Sequence, residues 1–349
     1  GVLLGLGLFI AGSLLFYPAS QTMVYGHFLG ALFVLAGGLS ILETAANPYI
    51  IAMGPEENGT QRLNLAQSFN PIGSIIGVLL SKLFILSQLN QASAESRAAM
   101  SPDELQAIQS GELIAVMGPY VGVAAVLLII WLLIAFSRMP KASEADDSLN
   151  ISTTVARLLK NRNYVWGVVA QFFYVGAQIC VWSFTIRYVM QELTINEDEA
   201  ASYYLAALVL FTVSRFICTA LMKYISPGNL LAILALLAIL CTTVVVLGGG
   251  IVGVYALIAI SACMSLMFPT IYGLAVRGLG DDTKIGGSGL IMAILGGAVI
   301  TSIQGQISDL TGSIHLAYIV PLLCFIVVAF YGRLAHKQLP DPFVAAESL

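Results

Sequence analysis

The sequence predicts an all-α polytopic membrane protein, and its composition, its long apolar runs and the charges of its loops support this. Of the 349 residues, 58% are hydrophobic and only 10% are charged, whereas soluble domains carry about 25% charged residues. This composition excludes a soluble enzyme and a secreted domain. The net charge of −4 leaves no basic surface for a phosphate backbone, so we expect no nucleic-acid partner.

Ten apolar runs reach or approach the length of about 20 residues that a helix needs to cross a bilayer. The runs cover residues 2–17, 26–53, 63–88, 113–137, 163–190, 200–222, 229–248, 251–276, 286–308 and 314–335. We therefore expect ten transmembrane helices surrounded by membrane lipid.

The loops between the runs predict the orientation. Alternate loops hold eleven basic residues, whereas the opposite set holds Arg97 alone. The eleven are Arg62, Arg138, Lys141, Arg157, Lys160, Arg162, Lys223, Arg277, Lys284, Arg333 and Lys337. Because basic loops stay in the cytoplasm, both termini are expected on the cytoplasmic side. The membrane is expected to be a bacterial cell inner membrane.

Two loops are long enough to hold structure of their own. The external loop 89–112 contains Ser101-Pro102-Asp103-Glu104, a pattern that predicts the capped start of a short helix. In the cytoplasmic loop 138–162, Thr153–Leu159 could form a short surface helix.

The long cytoplasmic loop divides the chain into three parts: 1–137 with four runs, the loop 138–162, and 163–349 with six runs. Pro48 precedes Thr60 by twelve residues and Pro269 precedes Thr283 by fourteen, each pair joining an apolar run to a Gly-rich run of the same orientation. This parallel repeat places two further helices before the first half. Because the chain opens inside an apolar run without a Met, we expect ten of twelve helices to be present. Two pseudo-symmetric halves of six helices are the layout of the major facilitator superfamily.

Glu43 is the only one of nineteen acidic residues that lies deep within an apolar run. It lies ten residues before Met53, which is about 15 Å along a helix. A carboxylate at that depth costs several kcal/mol, and burial favours its protonated form. Glu43 is therefore predicted to carry a proton, and the alternative is a neutral carboxyl that only ties helices together.

Polar amides lie near Glu43 and on the following run. Asn47 follows Glu43 by one helical turn and precedes Pro48, which weakens the helix. Gln67 and Asn70 lie three residues apart and are expected to share one helix face. Amides both donate and accept hydrogen bonds, as sugar hydroxyls do, so a sugar site is predicted. The alternative is interhelical hydrogen bonding.

The second half offers further candidates. Gln171 and Gln178 fall on one face of the fifth run, and Tyr272 could supply an aromatic surface for a sugar ring. For each of these three taken alone, a place in the core is the favoured alternative. Arg215 is a deep cation that could face a cavity or pair with a backbone carbonyl. The histidines are scattered and give no metal-ligand spacing.

Three segments resemble the fucose–proton symporter family of the major facilitator superfamily. They are Leu42–Tyr49, which contains Glu-Thr-Ala-Ala-Asn-Pro, Gln67–Gly73, and Phe268–Gly273. The resemblance implies a monomer that imports L-fucose with protons by alternating access and uses the proton gradient without a cofactor. It also implies that Glu43 is a protonation site and that Gln67 and Asn70 contact the sugar. The family's acidic partner of Glu43, on the first helix, has no counterpart here.

Three other functions remain to be weighed. A proton-driven exporter of another small solute would have a more apolar cavity and fewer amides. A membrane enzyme would need acids and histidines with metal or nucleophile spacing at the interface, which the loops lack. A passive channel would need rings of repeated polar groups, and the sequence shows none.

Overall fold

The computed structural model describes residues 1–85, 96, 97, 99–137 and 151–338, without the side chains of 81, 82 and 336–338. Within these residues every regular element is helical, and ten helices or helix pairs are long and apolar enough to cross a membrane. The predicted fold class is confirmed. Large apolar side chains remain exposed along the helices, such as Phe33 at 81% and Phe136 at 85%, as a lipid-facing surface requires.

Four spans come from the first part of the chain. Their helices are α1 Val2–Thr22, α2 Tyr25–Ala52, α3 Gly59–Gln67, α4 Asn70–Leu80 and α5 Pro102–Phe136.

A short helix and six further spans follow. Their helices are α6 Ile151–Lys160, α7 Arg162–Leu193, α8 Glu197–Leu221, α9 Pro227–Leu247, α10 Gly250–Met264, α11 Met267–Val276, α12 Thr283–Met292, α13 Gly296–Thr311, α14 Ile314–Ala317 and α15 Ile319–Gln338.

Four of the spans are divided between two helices, and in two of them the turn begins three residues before Pro71 and four residues before Pro269. The chain leaves α3 at Ser68 and re-enters a helix at Asn70, and it leaves α10 at Ser265 and re-enters at Met267. Because proline has no N–H, it cannot bond the carbonyl four residues earlier. The expectation that Gln67 and Asn70 share a face of one unbroken helix is therefore wrong.

The predicted cap at Ser101 is present, but the helix that it begins is not short. Ser101 Oγ accepts a hydrogen bond from Glu104 N at 3.4 Å, and Ser101 N donates to Glu104 Oε2 at 3.1 Å. From there α5 runs unbroken for 35 residues, since no helix-breaking turn separates its polar start from the apolar run. The predicted short helix in the loop 138–162 is confirmed as α6, with Thr154 and Leu158 buried. Residues 138–150 of that loop lie outside the described part of the chain.

The chain forms two compact units. The first comprises residues 1–46 and the described part of 73–141, and the second comprises 47–72 and the described part of 142–349. In the first unit, glycines let two backbones meet: a methyl group added at Gly5 would lie 2.7 Å from Leu42 N. The second unit has the larger core, centred on α7, with Tyr174 and Tyr188 fully buried.

Candidate functional site

Glu43 lies on α2, nine residues before the end of that helix at Ala52. The close crossing of α1 at Gly5 holds the backbone of the preceding residue, Leu42, in place. The side chain of Glu43 is partly buried. Among the described residues, no hydrogen bond or ion pair reaches its carboxyl group. An unpaired carboxyl at this depth is a suitable carrier for a proton.

Asn47 lies one turn further along α2 and belongs to the second unit. It is buried, with 2% of its surface exposed, and its Oδ1 accepts a hydrogen bond from Gln67 Nε2 at 3.0 Å. Its Nδ2 has no partner among the described residues. The structure thus joins two of the predicted amides and leaves one buried donor available to a bound solute.

The carbonyl groups of Gln67 and Ser265 point to one guanidinium. Arg215 Nη1 donates to Gln67 O at 2.8 Å, and Arg215 Nε donates to Ser265 O. Pro71 lies four residues after Gln67, and Pro269 lies four residues after Ser265. Each proline leaves one carbonyl without its helical donor, and Arg215 supplies both missing bonds.

Arg215 is itself buried, with 4% of its surface exposed, and its guanidinium lies 4.6 Å from the centre of the Phe211 ring. A cation this deep in a membrane protein requires compensating dipoles. Two freed carbonyls and one aromatic face provide them. The open question about Arg215 is thereby decided in favour of backbone carbonyls, and the two prolines were the sequence signal that could have indicated it.

Helix α3 packs against α8 and α11 at the same end of the second unit. Asn64 Nδ2 donates to Thr270 Oγ1 at 3.1 Å, and Gln61 Nε2 donates to Thr219 O at 3.1 Å. Gly273 makes room for this approach, since a methyl group there would lie 2.7 Å from Thr60 Oγ1. These contacts, which the sequence did not indicate, close this end of the second unit.

The end closed by α3 also carries α6 and its basic side chains. Arg157 Nη2 lies 2.6 Å from Asp282 Oδ1, and Arg157 Nε donates to Asp282 Oδ2 at 2.9 Å. These hydrogen bonds raise the pKa of the Arg157 guanidinium. Glu56 Oε1 accepts from Gly278 N at 2.7 Å, so that charged and polar contacts surround the α3 packing.

The remaining predicted residues have different surroundings. Gln171 on α7 is fully buried, and neither atom of its amide has a partner among the described residues. Gln178, two turns further along α7, is half-buried, and Tyr272 on α11 is fully buried against α12 at Gly287. Asn70 is exposed at the start of α4. A buried amide without partners costs about 1–3 kcal/mol for each group, which a solute hydroxyl would offset.

A bundle of membrane-length helices with broken spans, an intramembrane carboxyl and unpaired buried amides defines a secondary transporter. The model of the Major Facilitator Superfamily matches residues 1–284. The L-fucose-proton symporter of Haemophilus influenzae is 39% identical over 97% of this chain and 82% of that protein.

Two further similarities agree. The glucose/galactose transporter of Brucella abortus is 34% identical over 97% of this chain and 78% of that protein. The crystal structure of a Major Facilitator Superfamily transporter, FucP, in the outward conformation matches with a TM-score of 0.90 at 39% identity, covering 97% of this chain and 83% of that chain. The chain belongs to the Major Facilitator Superfamily, in the same family as these relatives. It is a transporter and not an enzyme.

Proposed function

We propose that this protein is a proton-coupled sugar symporter that imports L-fucose with protons by alternating access. The observation that carries the proposal is Glu43, an intramembrane carboxyl without a described partner, in a chain 39% identical to an L-fucose-proton symporter. When Glu43 is neutral, the conformational change proceeds at a lower electrostatic cost than when it is charged. Proton binding thereby drives sugar movement.

The sugar is proposed to bind at the buried amides. Asn47 Nδ2 can donate to a hydroxyl, and the Gln171 amide can both donate and accept. Gln67 fixes the rotamer of Asn47 by its hydrogen bond to Oδ1. Gln178, Tyr272 and Asn70 are proposed as further contacts. Neutral amides favour an uncharged, hydroxyl-rich solute over an ion.

In this proposal, the contacts of α3 with α8 and α11 form and break during the transport cycle. Its hydrogen bonds to Thr270 and Thr219 close one end of the second unit. A carrier that exposes its site alternately to the two sides must break such contacts in one of its states. We propose that α3 separates from α8 and α11 when the cytoplasmic side opens.

The proposal is tested with Glu43→Gln in the full-length protein, reconstituted in proteoliposomes. We expect Glu43→Gln to lose uphill accumulation of L-fucose under an imposed proton gradient while sugar counterflow is retained, because the amide is neutral but cannot release a proton. Glu197→Gln, at an exposed acid on α8, is the matched control and should accumulate the sugar normally. Unchanged accumulation by Glu43→Gln would reject the coupling role.

The sugar itself is tested separately, since a relative carries glucose and galactose. Thermal unfolding of the purified protein is measured with L-fucose, D-glucose, D-galactose and a non-sugar solute. A ligand that binds only the folded state raises the melting temperature, and L-fucose should raise it most. If D-glucose and D-galactose raise the melting temperature and L-fucose does not, the proposed substrate is wrong, but the assignment as a sugar transporter is retained. A proton-driven exporter would instead extrude its solute when the gradient is imposed.

We also propose the setting in which the protein works. The basic residues of α6 and its neighbours face the cytoplasm of a bacterial cell, and the helices lie in the inner membrane with both termini on the cytoplasmic side. The protein acts as a monomer surrounded by lipid, with the proton gradient in place of a cofactor and with no nucleic-acid partner.

A further inference from the structure

At the end of the second unit remote from α6, the ring of His315 lies between two acceptors. Its Nδ1 is 2.9 Å from Val245 O, at the end of α9, and its Nε2 is 2.7 Å from Glu192 Oε1, at the end of α7. A backbone carbonyl can only accept a hydrogen bond, so Nδ1 must carry a hydrogen. The contact between Nε2 and the carboxyl needs a second hydrogen.

These two contacts determine how many protons the pair holds. A neutral imidazole with an ionised carboxylate has one hydrogen for the two contacts, which is one too few. The geometry is satisfied by an imidazolium beside a carboxylate, or equally by a neutral imidazole beside a carboxylic acid. In both forms, the pair of His315 and Glu192 has bound one additional proton.

The same pair connects the ends of several helices. Gly250 N, at the start of α10, donates to Glu192 Oε2 at 2.6 Å, and Tyr188 Oη donates to Val245 O at 3.2 Å. The turn between α9 and α10 is held tightly here, since a methyl group at Gly249 would lie 2.8 Å from Glu192 Oε2. Hydrogen bonds of Glu192 and His315 thus connect the ends of α7, α9, α10 and α14.

The other titratable groups around the pair are few and are defined by the elements that pack there. From α7, the ring of Tyr188 packs on His315 at 5.1 Å between centroids, and from the turn before α15 the ring of Tyr318 packs on Tyr188 at 5.5 Å. Arg187 of α7 and Asp309 of α13 are exposed. The turn between α9 and α10 contributes backbone atoms, so Glu192 is the charged group that contacts the ring among the described residues.

We infer that His315 and Glu192 form a second proton-binding site, separate from Glu43, that fastens the external ends of four helices when the external solution is acidic. The external position of these helix ends rests on the orientation proposed above. The proton comes from the water on that side, since His315 keeps 24% and Glu192 keeps 11% of the side-chain surface exposed. Loss of the proton places two acceptors against each other, so the contact between the helix ends weakens as the external pH rises.

The site is tested by thermal unfolding of the full-length protein in lipid nanodiscs between pH 5.5 and 8.5. We expect the melting temperature of wild type to exceed that of His315→Gln by about 2–4 °C at pH 5.5, the size of shift that one such interaction produces, and to match it at pH 8.5. His27→Gln, at an exposed histidine on α2, is the matched control and should follow wild type. Parallel curves for wild type and His315→Gln would overturn the proposal.

A second measurement does not depend on overall stability. Hydrogen exchange at Gly250, whose N–H donates to Glu192, is compared between wild type and Glu192→Gln at each pH. The protection in wild type should be lost on raising the pH, and the variant should show no such pH-dependent loss. Equal protection of wild type at both pH values would overturn the proposal. Glu43→Gln should retain the wild-type behaviour in both measurements, so a failure here is distinct from a failure of the symport mechanism.

Discussion

At the residue scale, Arg215 and the two prolines Pro71 and Pro269 compensate for one another, because the guanidinium needs acceptors and the prolines leave two carbonyls without donors. A buried carbonyl without a donor costs about 1–3 kcal/mol, and a buried charge without partners costs several kcal/mol. Pro71 and Pro269 create two such carbonyls, and Arg215 bonds both. The breaks in two spans and the deep cation are therefore parts of one arrangement.

This arrangement predicts a measurable coupling. Arg215→Met should lower the free energy of unfolding by about 3–5 kcal/mol, as loss of one member of a buried charged network does. In the background of Pro71→Ala and Pro269→Ala the same change should cost less, by about 1–3 kcal/mol, because the helices then supply their own N–H donors. The free energy of unfolding of each variant is measured in detergent with a chemical denaturant.

Arg187→Met, at an exposed arginine, is the matched control for this cycle and should change stability little. Strict additivity of the arginine and proline substitutions would show that the guanidinium does not depend on the freed carbonyls.

At the element scale, a glycine decides how closely α3 approaches α11. Gly273 has no side chain, and the Cβ that alanine would add there lies 2.7 Å from Thr60 Oγ1 and 3.0 Å from Thr60 Cα. The second distance involves backbone, so a rotamer change of Thr60 cannot relieve it. The helices must move apart, which weakens the hydrogen bonds between Asn64 and Thr270.

Gly273→Ala should therefore shift the protein towards the state in which this end is open. Overpacking costs about 1–3 kcal/mol, and each 1.4 kcal/mol is about tenfold in population. A cysteine at the buried position Thr270 should react with a maleimide about tenfold faster in this background. Gly305→Ala on α13, where an added methyl group has no neighbour within 4 Å, is the control. Equal rates in the two backgrounds would contradict the proposed role of the glycine.

At the scale of the whole molecule, the charges of the two ends predict how the protein lies in the membrane. The end that carries α6 is basic, and the opposite end carries acidic residues such as Glu197 and Asp198. The rule that basic loops stay inside predicts that α6 lies in the cytoplasm. The end of α13 at Leu310 is then external.

Two single cysteines test this orientation. Leu159 on α6 is 69% exposed and Leu310 on α13 is 86% exposed, so both positions accept a membrane-impermeant maleimide. Leu159→Cys should be labelled in inside-out vesicles and Leu310→Cys in right-side-out vesicles, each with the five native cysteines replaced. The reverse pattern would invert the proposed topology and place the pair of His315 and Glu192 in the cytoplasm.

The sequence by itself determined the ten spans, the cap at Ser101 and the helix α6, and it also predicts that Glu43 carries a proton. These are local properties: the length of an apolar run, a pattern of four residues, and the cost of a carboxyl within a span do not depend on distant parts of the chain. The breaks at Ser68 and Ser265 were also encoded locally, by Pro71 and Pro269.

Only the tertiary structure decided which groups meet. Arg215 and Gln67 are 148 residues apart, and His315 and Glu192 are 123 residues apart, so no spacing along the chain indicates either contact. The acceptor in the first pair is a backbone carbonyl that Pro71 deprives of its helical donor, but the sequence does not indicate which side chain bonds it. Hydropathy records how strongly each segment prefers lipid, whereas partner choice depends on how the helices pack.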